Sequence, residues 1–237
     1  MTTIELLDRN DFVRTMNDAL RIDPAHTAVL TIDMHRGHLD PDIATMRVPP
    51  DEAADLVQNT AVLLRAARAA GMRVMHSVTV RRAVEAASPN SFQRTVAATG
   101  QTVAPGLVMN PPRHNLEGSP QCELMPGLAL DPDDLVLANK KQFSSFCATD
   151  LANLIRVLGV DTLVMTGVGT NTCVLSTALD AFNLGLRVIV VADCTTSLNG
   201  VDLHLFALEN MRRTIGWVLT VEDFVTRCKA EPAEHGR

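Results

Sequence analysis

The chain has 237 residues, 46% of them hydrophobic, enough to bury the core of one substantial α/β domain spanning residues 1–237. Its formal net charge of −6, with Lys and Arg scattered along the chain, argues against a surface built to neutralise nucleic-acid phosphates. No apolar run approaches the roughly 20 residues that cross a bilayer, and the N-terminal MTTIELLDRNDF carries acids where a signal peptide has a basic flank, so the expectation is a cytoplasmic protein that handles a small molecule.

Short β-branched runs alternate with longer helical stretches. The first run, TAVLTID at 27–33, is apolar enough to be a strand buried on both faces. A helix follows from Asp51 to Ala70: Pro49 and Pro50 precede an acidic first turn, Leu56, Leu63 and Ala67 share one face, and Gly71 stands at the C′ position. MRVMHSVTV at 72–80 reads as the second strand. Residues 81–134 are rich in Pro, Gly, Asn and Ser and hold no sustained period, a length that inside a compact domain is often a functional lid. Order returns with LVLANK at 135–140 as a strand, a helix from about Ala148 to Leu158 ended by Gly159, and DTLVMTG at 161–167 as a strand. NTCVLSTALDAFNLG at 171–185 reads as a helix with Asn171 or Thr172 as N-cap and Gly185 as its stop. RVIVVADC at 187–194 is a strand, followed by a helix near Asp202 to Arg213, a weak strand around 216–220 and a short C-terminal helix. Such alternation implies parallel pairing through crossovers, hence a three-layer α/β/α sandwich.

The five cysteines, Cys122, Cys147, Cys173, Cys194 and Cys228, are odd in number and include no C-x-x-C pair, which suggests neither a disulfide framework nor a thiolate zinc site. In open parallel sheets ligands bind beyond the carboxyl ends of the strands, and three reactive side chains fall at or just past such ends. Asp33 closes the first strand, Lys140 closes the third, and Cys173 stands in the first turn of the helix after the strand ending at Gly167. Alone, each has an ordinary explanation: a loop anchor, a solvated charge, a small residue packing a helix on the sheet. If their strands are neighbours, an acid, a base and a thiol converge. A helix N-terminus and an adjacent ammonium would lower the thiol pKa, while Asp33 would take the thiol proton and return it to a leaving group.

With these residues in place, the chain resembles the isochorismatase-like cysteine hydrolases, a group that includes nicotinamidases, N-carbamoylsarcosine amidohydrolases, biuret hydrolases and ureidoacrylate amidohydrolases. The resemblance spans most of residues 27–220 and rests on VLTIDMH (29–35), KKQFSSFCATDL (140–151) and above all TGVGTNTCVLSTALDA (166–181). It implies a six-stranded parallel sheet of Rossmann-like type, a catalytic triad of Asp33, Lys140 and Cys173, a cis peptide at Val168–Gly169, and an oxyanion hole from the amides of Gly169 and Cys173. It further implies hydrolysis of a small amide, ureide or carbamoyl compound through a thioester, with no organic cofactor, and a homo-oligomer. Vinyl-ether hydrolysis and a silent scaffold on the same fold are the rival readings; the retained Cys173 speaks against the first and the intact set of three against the second.

Relatives often read D-x-Q-x-D-F after the Asp, whereas this chain reads DMHRGHL at 33–39. His35 is therefore a candidate substrate contact, with His76, Phe143, Thr170 and Asn171. His35, His38, Asp40 and Asp42 would suit an oxygen and nitrogen metal cluster, but are read as solvated loop residues, so no metal is expected. His204, on the late helix, invites a Cys–His pairing and is read as a packing residue. Of the two adjacent lysines, the family spacing selects Lys140 for the site and leaves Lys141 as an outward charge.

Overall fold

The computed structural model describes residues 7–99 and 113–229. Within them six parallel strands form one sheet in the order β3-β2-β1-β4-β5-β6: β1 (Thr27–Ile32), β2 (Arg73–Thr79), β3 (Leu135–Lys140), β4 (Thr162–Val168), β5 (Arg187–Thr196) and β6 (Gly216–Leu219). β1 and β4 are buried at every position, as strands covered on both faces must be. Alternation along β1 sends Val29 to one face and Ala28, Leu30 and Ile32 to the other. The Val29 face is covered by α3 (Pro50–Ala69) and α9 (Val221–Lys229), through Leu56, Leu63, Ala67 and Phe224. The opposite face is covered by α6 (Leu151–Val157), α7 (Leu175–Asn183) and α8 (Val201–Thr214), through Leu151, Ile155, Ala178, Ala181, Ala207 and Met211. This is the α/β/α sandwich expected from the alternation of elements.

Local chemistry accounts for the longest helix. Pro50 occupies the first helical position, where its missing N–H is not needed, and Asp51 and Glu52 face the positive end of the helix dipole. Gly71 stops it at φ +83°, with Gly71 N donating to Arg68 O and Met72 N to Ala67 O, the bonds of a left-handed C-cap.

Two regions differ from the sequence reading. A helix at the N-terminal side, α1 (Asn10–Ala19), was not anticipated; it buries none of its residues and leaves Phe12 and Met16 exposed. It is tied to β6 by Trp217 Nε1 donating to Met16 O and Asn17 Nδ2 donating to Val218 O. The 81–134 stretch holds α4 (Ala83–Ala86), α5 (Ser91–Thr99) and two 3-10 turns, and residues 100–112 lie outside the described residues. Its last part is no loose flap. It runs against α2 (Arg36–Leu39), with Arg36 N donating to Glu123 O and Met125 N to Met34 O, and buries Leu128 completely.

The close approach of β1 and β4 depends on Gly167, which pairs with Ile32 at φ +127°; a Cβ built there would overlap the Ile32 carbonyl oxygen. Gly167→Ala is therefore expected to lower stability by roughly 3 kcal/mol or more, overpacking added to backbone strain. Gly71→Ala, where no atom lies within 4 Å of the new Cβ, should lose only the roughly 1–2 kcal/mol of a left-handed alanine. Urea denaturation of both variants checks the ranking, and equal losses would contradict the tight β1–β4 contact.

Candidate active site

β1 and β4 lie side by side where the strand order changes direction, the place at which parallel sheets form a crevice beyond their carboxyl ends. Asp33 follows β1 directly and holds a left-handed φ of 54°, with its amide bonded to Ser77 O at 2.8 Å. Cys173 follows β4 within a single π-helical turn, Thr170–Val174, in which Val174 N bonds Gly169 O. The peptide between Val168 and Gly169 is cis, as the resemblance implies, and Gly169 is the N-cap of the turn that holds Cys173. Neither Asn171 nor Thr172 caps the helix as the sequence suggested, because helical geometry already starts at Thr170 and the turn has no side-chain cap.

Lys140 comes from edge strand β3, which is not a neighbour of β1; β2 lies between them. The lysine reaches across the end of β2, where its Nζ donates to Asp33 Oδ2 at 2.6 Å and to Thr79 Oγ1 at 3.0 Å, and lies 3.3 Å from Cys173 Sγ. Thr79 also donates its amide to Asp33 Oδ1 at 2.8 Å. Asn115, itself at φ 51°, donates its side-chain amide to Thr79 O and so holds that strand end in place. Neither Thr79 nor Asn115 was singled out in the sequence, since a threonine near a strand end and an asparagine in a long loop carry no spacing signal. Lys141 points elsewhere: it donates to Val80 O and pairs with Glu85 at 3.2 Å, the outward role expected of it.

Asp33 and Lys140 are each 1% exposed. Burial pushes the Asp33 carboxyl up, but the Lys140 ammonium overrides it and holds the group at about 2. For Lys140, burial favours the neutral amine, and the charge of Asp33 outweighs it, so the ammonium is kept. Cys173 behaves otherwise: burial and the charge of Asp33 outweigh Lys140 and push its thiol up to about 11. The expectation that the helix start and the ammonium lower the thiol pKa is thus corrected. At rest the three groups are a carboxylate, an ammonium and a neutral thiol.

The remaining candidates scatter. His76 sits inside β2 with both ring nitrogens taken, Nδ1 by Thr31 Oγ1 at 2.7 Å and Nε2 by Asp134 Oδ2 at 3.1 Å, so it is a satisfied core histidine and not a pocket residue. Phe143 is 56% exposed. Thr170 is buried with its hydroxyl against His204 Nδ1 at 2.8 Å, which gives His204 a packing partner and agrees with its reading as a packing residue. Asn171 accepts from Ser197 Oγ and donates to Asn199 Oδ1. His35 and His38, read as solvated, are instead buried, and with His114 they form a cluster beside Asp33, His35 Nε2 standing 3.9 Å from Asp33 Oδ1. Burial lowers the pKa of all three imidazoles, leaving them neutral. Asp40 pairs with Arg36 and Asp42 is exposed, so neither belongs to the cluster.

Residues 27–223 match the Isochorismatase domain. The chain belongs to the isochorismatase family. Among curated relatives, the ureidoacrylate amidohydrolase RutB of Methylobacterium radiotolerans is 31% identical over 222 residues, covering 87% of this chain and 81% of that protein. Among solved structures, a cysteine hydrolase from Pseudomonas syringae pv. phaseolicola superposes with a TM-score of 0.73 at 24% identity, covering 89% of this chain and 95% of the other. An isochorismatase family protein from Burkholderia thailandensis gives 0.66 at 28% identity, covering 89% and 98%.

For this isochorismatase-family hydrolase the two lysines provide a direct test. Lys140→Ala should lower kcat at least about 100-fold, the loss of one preorganised charge-stabilising group being worth roughly 2.7–4 kcal/mol. Because Lys140 is what draws the thiol pKa down, the same variant should move Cys173 alkylation to higher pH. Lys141→Ala should stay within a few-fold of the parent. Steady-state kinetics and pH-dependent iodoacetamide labelling measure both effects, and a reversed pattern would reassign the lysine.

Proposed function

We propose that the protein is a cysteine-dependent amidohydrolase that cleaves a C–N bond of a small amide, ureide or carbamoyl compound through a thioester. The observation that carries this reading is the position of Lys140 Nζ, 2.6 Å from Asp33 Oδ2 and 3.3 Å from Cys173 Sγ at the crevice between β1 and β4. The curated relative RutB, named for amidohydrolysis of ureidoacrylate, supports the reaction class.

Since the thiol is neutral at rest, attack and deprotonation go together. Asp33 takes the proton of Cys173 as sulfur adds to the carbonyl carbon, and the π electrons move to oxygen. The oxyanion is held by the backbone amides of Gly169 and Cys173. Collapse of the tetrahedral species expels ammonia or a small amine, which carries away the proton from Asp33. The same carboxylate then removes a proton from water as its oxygen attacks the thioester, and collapse breaks the C–S bond, releases the acid product and returns that proton from Asp33 to sulfur, restoring thiol and carboxylate. Lys140 stays charged throughout and stabilises first the developing thiolate and then the carboxylate. Opposite charges cancel in the resting site, which suits a neutral carbonyl substrate.

A panel of small amides, ureides and carbamoyl compounds assayed for ammonia release tests the class; no turnover of any of them would overturn it. Cys173→Ala and Cys173→Ser are expected to leave less than a tenth of the parent activity with the fold retained, because the residue is small and half-buried. Cys122, Cys147, Cys194 and Cys228 should each be replaceable by Ala without comparable loss. Residual activity above a tenth in the Cys173 variants would rule out covalent catalysis.

A further inference from the structure

Three histidines that the proposed reaction does not use lie together next to it. His35 follows Asp33 by two residues, His38 lies in α2 one turn later, and His114 arrives from the segment before Asn115. Ring centroids are 4.5 Å apart for His35 and His38, 4.6 Å for His38 and His114, and 5.4 Å for His35 and His114. One nitrogen from each ring lies within 4.8 Å of the others, and all three residues are buried.

We propose that His35, His38 and His114 form a three-histidine site for a divalent transition-metal ion, immediately beside Asp33. The first argument is hydrogen-bond accounting. Both nitrogens of His35 are buried without a hydrogen-bond partner, and a wholly buried imidazole with two orphan nitrogens requires something to bind. The second is orientation. His38 Nδ1 donates to Met46 O at 2.7 Å, which leaves the lone pair on Nε2. His114 Nδ1 lies 2.9 Å from Thr45 Oγ1, a contact that sets its Nε2 free in the same way when the hydroxyl accepts. The buried Asn115 Oδ1, also without a partner, lies over Gly37 together with His35 Nδ1, in space a Cβ at that position would fill. His38 and His114 thus each have an oxygen at Nδ1, the outer-shell arrangement that aims the other nitrogen at a metal, while His35 keeps both nitrogens open.

The third argument is charge. Neutral imidazole is the metal-ligating form, and at His35 the Asp33 carboxylate, 3.9 Å from Nε2, outweighs the Lys140 ammonium paired with it, which favours a cation over an anion there. Imidazole nitrogens select zinc, iron, cobalt or nickel over calcium or magnesium. Ligand atoms of a tetrahedral site with bonds of 2.0–2.1 Å stand about 3.3 Å apart, so small rotations of the rings complete it. Three protein ligands leave a position for water or a substrate atom, the pattern of catalytic and not of structural zinc. The sequence reading of the histidines as non-ligands is replaced by this one. It does not depend on the amidohydrolase reading, because metal binding is measured without substrate.

The test uses the tag-free full chain, stripped with chelator, dialysed and titrated with Zn²⁺ by calorimetry and with Co²⁺ by visible absorption. One saturable ion per chain is expected, with ligand-field bands for Co²⁺. Loss of an outer-shell partner alone weakens metal affinity about 10–100-fold, so His38→Ala and His114→Ala should each weaken it at least about 100-fold. Thr45→Val, which keeps every ligand, should weaken it about 10-fold and serves where a histidine variant fails to fold by circular dichroism. Cys173→Ala and the surface variant His26→Ala should bind as the parent does, which separates the histidine site from capture by thiolate or by an exposed imidazole. Absence of saturable binding in the parent, or equal affinity in the parent, His114→Ala and Thr45→Val, would overturn the proposal.

Discussion

The carboxyl edge of the sheet is organised around two opposite charges that water does not reach. Asp33 and Lys140 meet at 2.6 Å, and a buried pair of this kind stabilises a structure only when every remaining lone pair and proton is also used. Here they are. The three protons of the ammonium face Asp33, Thr79 and Cys173, and the second carboxylate oxygen takes the Thr79 amide. Removing one partner would leave an uncompensated buried charge, typically a loss of 3–5 kcal/mol, so the residues to which a catalytic role is proposed also anchor the ends of β1, β2 and β3 to one another.

The strand order decides how that pair meets the thiol. β1 lies between β2 and β4, so a residue leaving β1 has the end of β2 on one side and the turn after β4 on the other. Asp33 turns through a left-handed conformation at this point, and its carboxylate takes the Thr79 amide while its backbone amide takes Ser77 O. Gly167 lets β4 approach β1 closely enough for the following turn to bring Cys173 alongside. Lys140, starting from the sheet edge, has the length to cross β2 that a shorter cation would lack. A lysine is used where geometry demands reach and three donors, and Thr79 is the bridge under it.

Much of this was legible in the sequence because burial writes a pattern. β1 and β4 read as continuous apolar runs since both faces are covered, and α3 carried its proline start, acidic turn and glycine stop within its own residues. The segment around Cys173 was specific enough to identify the family and the cis peptide. α1 does carry Phe12, Val13 and Met16 on one helical side, a period too short to be read before the first strand, and it is joined to β6 by hydrogen bonds involving Trp217 and Asn17. The histidine cluster was not legible because His114 is 76 residues from His38 and arrives through a stretch with no periodicity. His76 was misplaced for the opposite reason: a histidine in a strand offers no sign of which face it takes, and its partners Thr31 and Asp134 lie 45 and 58 residues away.

One physical cause links the neutral thiol, the neutral imidazoles and the ionised pair, and it is desolvation. Burial penalises any charge, so a group keeps its charge only where an opposite charge is in direct contact. Asp33 and Lys140 have each other at hydrogen-bond distance and remain ionised. Cys173 has Lys140 at 3.3 Å but shares it with a carboxylate already in place, so its proton stays. His35 has Asp33 only at 3.9 Å, and that carboxylate is committed to Lys140 and Thr79, so its ring stays neutral as well. The order of contact distances around Asp33 therefore sets which groups are charged before a substrate arrives. In the proposed reaction a carbonyl entering this site would meet a nucleophile that is uncharged until attack begins and a base that is charged from the start, with the ammonium between them placed to follow the negative charge from oxygen to sulfur as the proton moves.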